Sequence, residues 1–114
     1  MSDFDALVVR LRRWTHNHDP HVRAAVELLI EHETWIRRGD FQRACVERNA
    51  REAWINWRKA REFADAGSAA STSEMAVLDL AVALGENRYR FSIMGPAHSR
   101  MIAQAVARAL GEDR

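Results

Sequence analysis

The sequence predicts a mainly helical protein of about five helices. Three observations lead to this fold class. Apolar residues recur at helical spacing over most of the chain, capping residues precede these segments, and strand-like alternation occurs in one place. We expect the 114 residues to form a single domain, as chains of this length commonly do. Within it we expect a three-helix bundle over residues 1–66, a linker at 67–73 and a helix–strand–helix unit at 74–114.

Capping residues mark the first two helices. Ser2, followed three residues later by Asp5, is a typical helix start. Asp19 and Pro20 open the second helix as its N-cap and its first helical residue. Gly39 fits the C-terminal end of that helix. Because the connection to the next helix is so short, we expect the second and third helices to form an antiparallel hairpin.

The third and longest helix is predicted over residues 40–66, which contain neither glycine nor proline. Small and apolar side chains recur there at alternating spacings of four and three residues, as in a heptad seam. Alanines in such a seam allow another backbone to approach closely, so we expect the bundle to pack around this helix. The seam consists of Val46, Ala50, Ala53, Trp57, Ala60 and Ala64.

Two further helices are predicted in the C-terminal part of the chain. Ser71 and Glu74 form a capping box at the start of the fourth helix, which we expect to end at Gly85. The dipeptide Gly95-Pro96 starts the fifth helix. The apolar residues that this last helix is expected to turn inward are Met101, Ile102, Ala105, Val106 and Ala109.

Residues 88–94, between these two helices, are predicted to form a short strand or an extended loop. Tyr89, Phe91 and Ile93 alternate with polar residues, and period two with aromatic and β-branched residues is typical of a strand. No second strand pattern is evident in the sequence, so the backbone groups of a strand here would need a partner outside the chain. Such a strand would pair with a second copy in a homodimer or with another protein.

The composition excludes several classes of protein. The net charge is +1, which gives no overall argument for binding nucleic acid or an anionic membrane. A single cysteine, Cys45, excludes an internal disulfide. Neither a signal peptide nor an apolar run long enough to span a membrane is evident, so we expect a cytoplasmic protein without membrane contact. Arginine supplies 16 of the 17 basic residues, which with abundant alanine indicates a GC-rich bacterial or phage genome.

No pattern identifies a catalytic, cofactor or metal site. Several histidines lie near one joint, His16, His18 and His21, but their spacing is not that of a helical zinc site, so solvated side chains are expected. Glu27 and Glu31 share a helix face, and we expect that face to be solvated. We therefore expect no enzyme, and an enzyme with an unrecognised site is the third of three hypotheses.

Two functions are favoured over an enzyme. The leading hypothesis is a small non-enzymatic interaction protein, a homodimer that binds another protein through helical and strand surface, because Trp and Arg are common interface hot spots. The alternative is a nucleic-acid-binding regulator that uses the Arg/Trp face of helix 40–66 for phosphate contact and base stacking. The expected partner-binding residues are Trp54, Arg58, Arg61, Tyr89, Phe91 and Ile93.

Overall fold

The computed structural model describes residues 2–112, which form a mainly helical protein with one small two-stranded sheet. This confirms the mainly helical character that the sequence predicts, whereas the described residues form seven α-helices where about five were expected. The elements in chain order are α1 (Asp3–Thr15), α2 (Pro20–His32), α3 (Thr34–Arg37), α4 (Gly39–Cys45), β1 (Val46–Arg48), β2 (Ala53–Ile55), α5 (Trp57–Ala66), α6 (Thr72–Gly85), a 3₁₀ helix (Phe91–Ile93) and α7 (Pro96–Ala109).

The predicted helix starts at Ser2 and Ser71 are confirmed by their capping hydrogen bonds, whereas α2 begins at Pro20 as predicted but without a side-chain capping hydrogen bond from Asp19. The backbone N–H of Asp5 donates to the hydroxyl of Ser2 at 3.0 Å. At the start of α6, the N–H of Glu74 donates to the Ser71 hydroxyl, and the N–H of Ser71 donates to the Glu74 carboxylate at 2.8 Å. That backbone hydrogen bond from Ser71 lowers the pKa of Glu74. These three N–H groups would otherwise be unpaired at the starts of the helices.

The prediction of one continuous helix over residues 40–66 is wrong. Helix α4 ends at Cys45, and the chain then forms an antiparallel hairpin in which Val46 pairs with Ile55 and Arg48 pairs with Ala53. Helix α5 begins only at Trp57. The predicted alanine seam is therefore divided among the two strands, the turn between them and helix α5.

Two asparagines explain why the helix is interrupted. The side chain of Asn49 accepts hydrogen bonds from the N–H groups of Arg51 and Glu52, at 2.9 and 2.8 Å, which closes the turn of the hairpin. The side chain of Asn56 accepts from the N–H of Lys59 and caps the start of α5. Asparagine side chains compete in this way with helical hydrogen bonding, and they are favoured in turns and at helix starts.

The second predicted helix also ends earlier than expected. Glu33 has a φ of 67°, which terminates α2 at His32 and separates it from the short α3. Gly39 begins α4 and does not cap α2, so the predicted joint between two long helices is replaced by the single turn of α3.

Residues on both sides of the predicted linker at 67–73 contribute to one hydrophobic core. Its largest fully buried side chains are Trp35 and Phe41, which contact each other and Phe63. Helix α6 packs along α2 and adds Leu78 and Val82 to the same core. The packing of α6 against α2 differs from the predicted bundle of the first three helices, because the apolar face of α2 is covered by a helix distant in sequence.

Of the two alternatives predicted for residues 88–94, a strand or an extended loop, the strand is wrong. Arg90 has a φ of 54°, and Phe91–Ile93 form a turn of 3₁₀ helix. The N–H of Ile93 donates to the carbonyl of Arg90, and the N–H of Met94 donates to the carbonyl of Phe91, both at 3.2 Å. Backbone groups that lack a neighbouring strand are satisfied here by local hydrogen bonds.

Candidate interaction surface

The end of α6 is held firmly against the core. The N–H of Arg88 donates to the carbonyl of Ala83 at 3.0 Å, which reverses the chain directly after the helix. A ring nitrogen of His21, on α2, lies 3.0 Å from the carbonyl oxygen of Leu84. After this point the 3₁₀ turn of the connecting segment lies close to α2, and α7 follows it.

Helix α7 buries none of its residues in the described chain. Its apolar side chains recur at helical spacing, and Met101 is 64% exposed and Leu110, just past its end, 72% exposed. An isolated helix of this length is only marginally stable in water, and most helices are stabilised by packing of an apolar face. The apolar face of α7 is therefore a surface for which residues 2–112 provide little cover.

An apolar groove of about 800 Å³ lies between α7 and the end of α6. We call it the C-terminal groove. Two rings stand side by side in it, those of Tyr89 and Phe91, with centroids 5.6 Å apart. Its lining residues are Leu80 and Leu84 of α6, Tyr89, Phe91 and Met94 of the connecting segment, and Ser99, Ile102, Ala103 and Val106 of α7.

A second and smaller apolar depression lies beside α7. It encloses about 220 Å³ and is lined by Met94, His98, Met101 and Ile102. Ile102 thus borders both depressions, so α7 presents apolar side chains in two directions.

The six residues predicted to bind a partner lie in two separate regions. Tyr89 and Phe91 line the C-terminal groove, and Ile93, next to them in the chain, is 76% exposed. The other three belong to the hairpin and α5. Arg58 is exposed there, whereas Trp54 and Arg61 are held by intramolecular hydrogen bonds.

Trp54 takes part in a hydrogen-bond cluster around Glu47. The Glu47 carboxylate accepts from the indole N–H of Trp54, the side-chain amide of Asn56 and the ammonium of Lys59, at distances of 3.0 to 3.2 Å. These hydrogen bonds, that of Asn56 first, lower the pKa of Glu47. The cluster ties β1 to β2 and to the start of α5, which gives Trp54 and Lys59 structural contacts within the chain.

Arg61 connects α5 to α6. Its guanidinium lies 2.8 Å from the Asp79 carboxylate and 3.1 Å from Glu86, and Asp65 of its own helix is 3.6 Å away. The hydrogen bonds to Glu86 and Asp79 raise the pKa of Arg61. With its side chain only 19% exposed, Arg61 is engaged within the protein.

Several groove residues were not expected to bind a partner. Leu80 and Leu84 are one helical turn apart on α6, as are Ile102 and Val106 on α7. Helical spacing could have identified both pairs as apolar ridges. It could not show that they would stay exposed, because that depends on where α7 leaves the core.

The described residues offer little for catalysis or metal binding. No group of three His, Cys, Asp or Glu side chains among residues 2–112 is placed to hold a metal ion. Burial raises the pKa of Cys45 to about 11, so its thiol is protonated at neutral pH. Within the C-terminal groove the polar side chains are Tyr89 and Ser99.

Among residues 87–111 the Asp, Glu, Lys and Arg side chains are of one sign, and acidic residues flank this stretch at Glu86 and Glu112. Residues 87–111 contain four arginines and no aspartate or glutamate. These are Arg88, Arg90, Arg100 and Arg108. At 3.6 residues per turn, the two arginines of α7 lie on the side of the helix opposite Ile102 and Val106.

Among residues 2–112, none of the helices combines the length and apolar character that crossing a membrane would require. Comparisons of the chain with protein-family models, with curated proteins and with solved structures found no match.

Proposed function

We propose that this chain is a non-enzymatic interaction protein that binds a polypeptide through the C-terminal groove and the apolar face of α7. One observation carries the proposal. Of the eight large apolar side chains that are exposed among the described residues, seven lie between Leu80 and Leu110, and Val9 is the exception. Four of the seven, Leu80, Tyr89, Phe91 and Val106, line the C-terminal groove together. A contiguous exposed apolar surface is typical of an interaction site, whereas single apolar residues on a surface need no explanation.

The chemistry of the groove favours polypeptide binding over catalysis. Its lining is almost wholly apolar, with a phenol and a hydroxyl as its polar side chains. Acid–base catalysis needs a titratable group within hydrogen-bonding reach of a substrate proton. Aromatic and aliphatic side chains in a groove are instead the usual receptors for the apolar face of a helix.

The nucleic-acid alternative has less support. It relied on the Arg/Trp face of residues 40–66, and that continuous face does not exist because the hairpin interrupts the helix. Arg61 and Lys59 contact carboxylates of the same chain, and the Trp54 indole donates to Glu47. Phosphate contacts from these two cations would have to replace intramolecular ion pairs.

Site-specific photo-cross-linking tests the proposed function. A photo-reactive residue replaces Val106 in the groove or, as the matched control, the exposed Val9 on α1, in the full chain expressed in its own host. We expect a discrete cross-linked polypeptide from position 106 and none from position 9. Binding of the identified polypeptide, purified, should then be lost in Val106→Asp and kept in Val9→Asp. The absence of a polypeptide product at position 106, or a product containing only nucleic acid, would contradict the proposal.

A further inference from the structure

We infer that the protein also binds double-stranded DNA, through a patch of arginines where α1 meets the turn of the hairpin. The arginine patch consists of Arg10, Arg13, Arg48 and Arg51. It is assembled from α1 and the hairpin, and so it differs from the continuous helical face predicted over residues 40–66. DNA binding at this patch does not depend on the C-terminal groove.

A hydrogen bond brings α1 to the turn of the hairpin. The guanidinium of Arg13 donates to the carbonyl oxygen of Arg51 at 3.1 Å, and α1 packs against β2. Arg10 lies one turn before Arg13 on the same side of α1, because residues three apart are neighbours on a helix. Arg48 is the last residue of β1 before the turn, where it pairs with Ala53. The four arginines therefore converge on one end of the hairpin.

The arginine patch keeps its positive charge available to a partner. None of its four guanidiniums forms an ion pair with a carboxylate of residues 2–112. Within the same residues, Arg13 and Arg48 donate to neutral oxygens, those of the Arg51 carbonyl and the Gln42 side chain. An anion could thus bind here without displacing a carboxylate. The arginines that do form ion pairs lie elsewhere and are Arg12, Arg37, Arg38 and Arg61.

The acidic residues of the hairpin do not cancel this charge. Glu47 precedes Arg48 in β1, so its side chain points to the opposite face of the sheet, where it is already hydrogen-bonded. Glu52 lies at the turn, where its carbonyl accepts from the N–H of Asn49. The patch and Glu52 together carry a net charge of +3, from four arginines and one glutamate.

The chemistry of the patch favours nucleic acid over an acidic polypeptide. Of the eight large apolar side chains exposed among the described residues, Val9 belongs to α1 and none belongs to the hairpin. Interfaces between proteins usually have an apolar centre. Contacts with DNA are instead directed mainly at phosphates, and a guanidinium can bind a phosphate through two parallel hydrogen bonds.

The shape of the hairpin favours duplex DNA over duplex RNA. A ribbon of two antiparallel strands fits the major groove of B-form DNA, which is about 12 Å wide, whereas that of an RNA duplex is deep and narrow. Asn49, Ala50 and Arg51 are exposed at the tip of the hairpin and border an open depression of about 500 Å³. With this tip at the groove, Arg10 and Arg13 of α1 would contact the phosphates beside it.

Fluorescence anisotropy of a labelled duplex of about 20 base pairs, titrated with the purified full chain at several salt concentrations, tests DNA binding. Release of counterions from four phosphates predicts that log K falls with log salt at a slope of about −3.6. Arg13→Gln and Arg51→Gln should each reduce that slope by about 0.9, which corresponds to a roughly eightfold loss of affinity at about 0.1 M salt. Circular dichroism should show both variants folded, because both side chains are exposed.

Arg37→Gln is the matched control. It removes the same charge from a guanidinium that is paired with Glu33 and lies over the ring of Phe4, near the opposite end of α1. Slope and affinity should be unchanged in this variant. An absence of binding at about 100 µM protein and about 50 mM salt, or equal losses in Arg37→Gln and Arg51→Gln, would overturn the inference.

Two competitors test the choice of duplex DNA. Duplex RNA of the same sequence and polyglutamate at the same concentration of charge should each displace the labelled DNA less effectively than unlabelled DNA does. Equal displacement by either one would overturn the assignment to DNA. In all of these cases a polypeptide cross-linked at position 106 would still support the proposed function, because the C-terminal groove contains none of the four arginines.

Discussion

The backbone of Gly85 lies against the face of the Trp57 indole, so closely that a Cβ atom at position 85 would overlap the six-membered ring. The contact joins the first residue of α5 to the last residue of α6. It therefore helps to fix the point from which the connecting segment and α7 leave the core.

Gly85→Ala should destabilise the protein by about 1–3 kcal/mol, because the added methyl group would overlap the partly buried ring of Trp57. Gly95→Ala is the matched control, since a Cβ at Gly95 would contact nothing within 4 Å and α7 contributes no residue to the core. We expect Gly95→Ala to destabilise the protein by less than about 0.5 kcal/mol. Chemical denaturation of both variants measures the difference, and equal stabilities would show that the Trp57 ring moves aside at little cost.

A second prediction concerns the hairpin. Ala53 is fully buried in β2, whereas Ala50 is exposed in the turn. Ala53→Leu should destabilise by about 1–3 kcal/mol through overpacking, and Ala50→Leu should change stability by less than about 0.5 kcal/mol. Thermal or denaturant unfolding checks both values. In a continuous helix over residues 40–66 both alanines would lie on one seam, so two equally destabilising substitutions would contradict the hairpin.

The helix starts could be predicted from sequence because they depend on local chemistry. Ser2 and Ser71 bond to backbone groups three residues away, and Pro20 and Pro96 have the fixed φ that suits a first helical turn. Such signals act within a few residues, so tertiary packing did not alter them.

The interruption of helix 40–66 was missed although its signals were present. Alanine and arginine favour a helix, and they are numerous in residues 40–66. The helix prediction therefore gave too little weight to Asn49 and Asn56. Each asparagine nevertheless offers the backbone an alternative set of hydrogen bonds, one closing a turn and the other capping α5. Burial of Ala53 and Ile55 against the core then stabilises the hairpin.

The groove was predictable only in part. The alternation of Tyr89 and Phe91 marked them as unusual for a connecting segment, and both line the groove, but in a 3₁₀ turn and not in a strand. The apolar ridge of α7 was visible as helical spacing. Its exposure was not visible, because periodicity identifies an apolar face without showing whether the chain itself covers it. Whether these residues bind a partner stays a prediction.

A third prediction follows from the hydrogen bonds that lower the pKa of Glu47. A carboxylate whose pKa is lower in the folded state stabilises the fold above its unfolded pKa of about 4.5, and this stabilisation is lost as the pH falls through the folded value. Glu47→Gln should therefore lower the unfolding midpoint at pH 7, since Asn56, Trp54 and Lys59 would lose a charged acceptor.

The difference between Glu47→Gln and the wild type should narrow as the pH falls below about 4.5. Thermal unfolding from pH 7 to pH 3 measures it. Glu31→Gln, which changes an exposed glutamate on α2, is the control and should follow the wild type throughout. A difference for Glu47→Gln that stays constant over this range would show that its charge does not stabilise the hairpin.

A fourth prediction concerns Arg61, which contacts Asp79 and Glu86 at the junction of α5 and α6. Lysine keeps the charge but cannot form the two-pronged contact of a guanidinium. Because the Asp79 side chain is 64% exposed, solvent screening limits the effect, and Arg61→Lys should cost about 1 kcal/mol. Arg58→Lys, on the exposed side of the same helix, should cost less than about 0.5 kcal/mol. Denaturation at low and high salt distinguishes the two substitutions, because salt screening should reduce the loss of stability caused by Arg61→Lys. Equal effects of the two substitutions would mean that Arg61 does not hold α5 against α6.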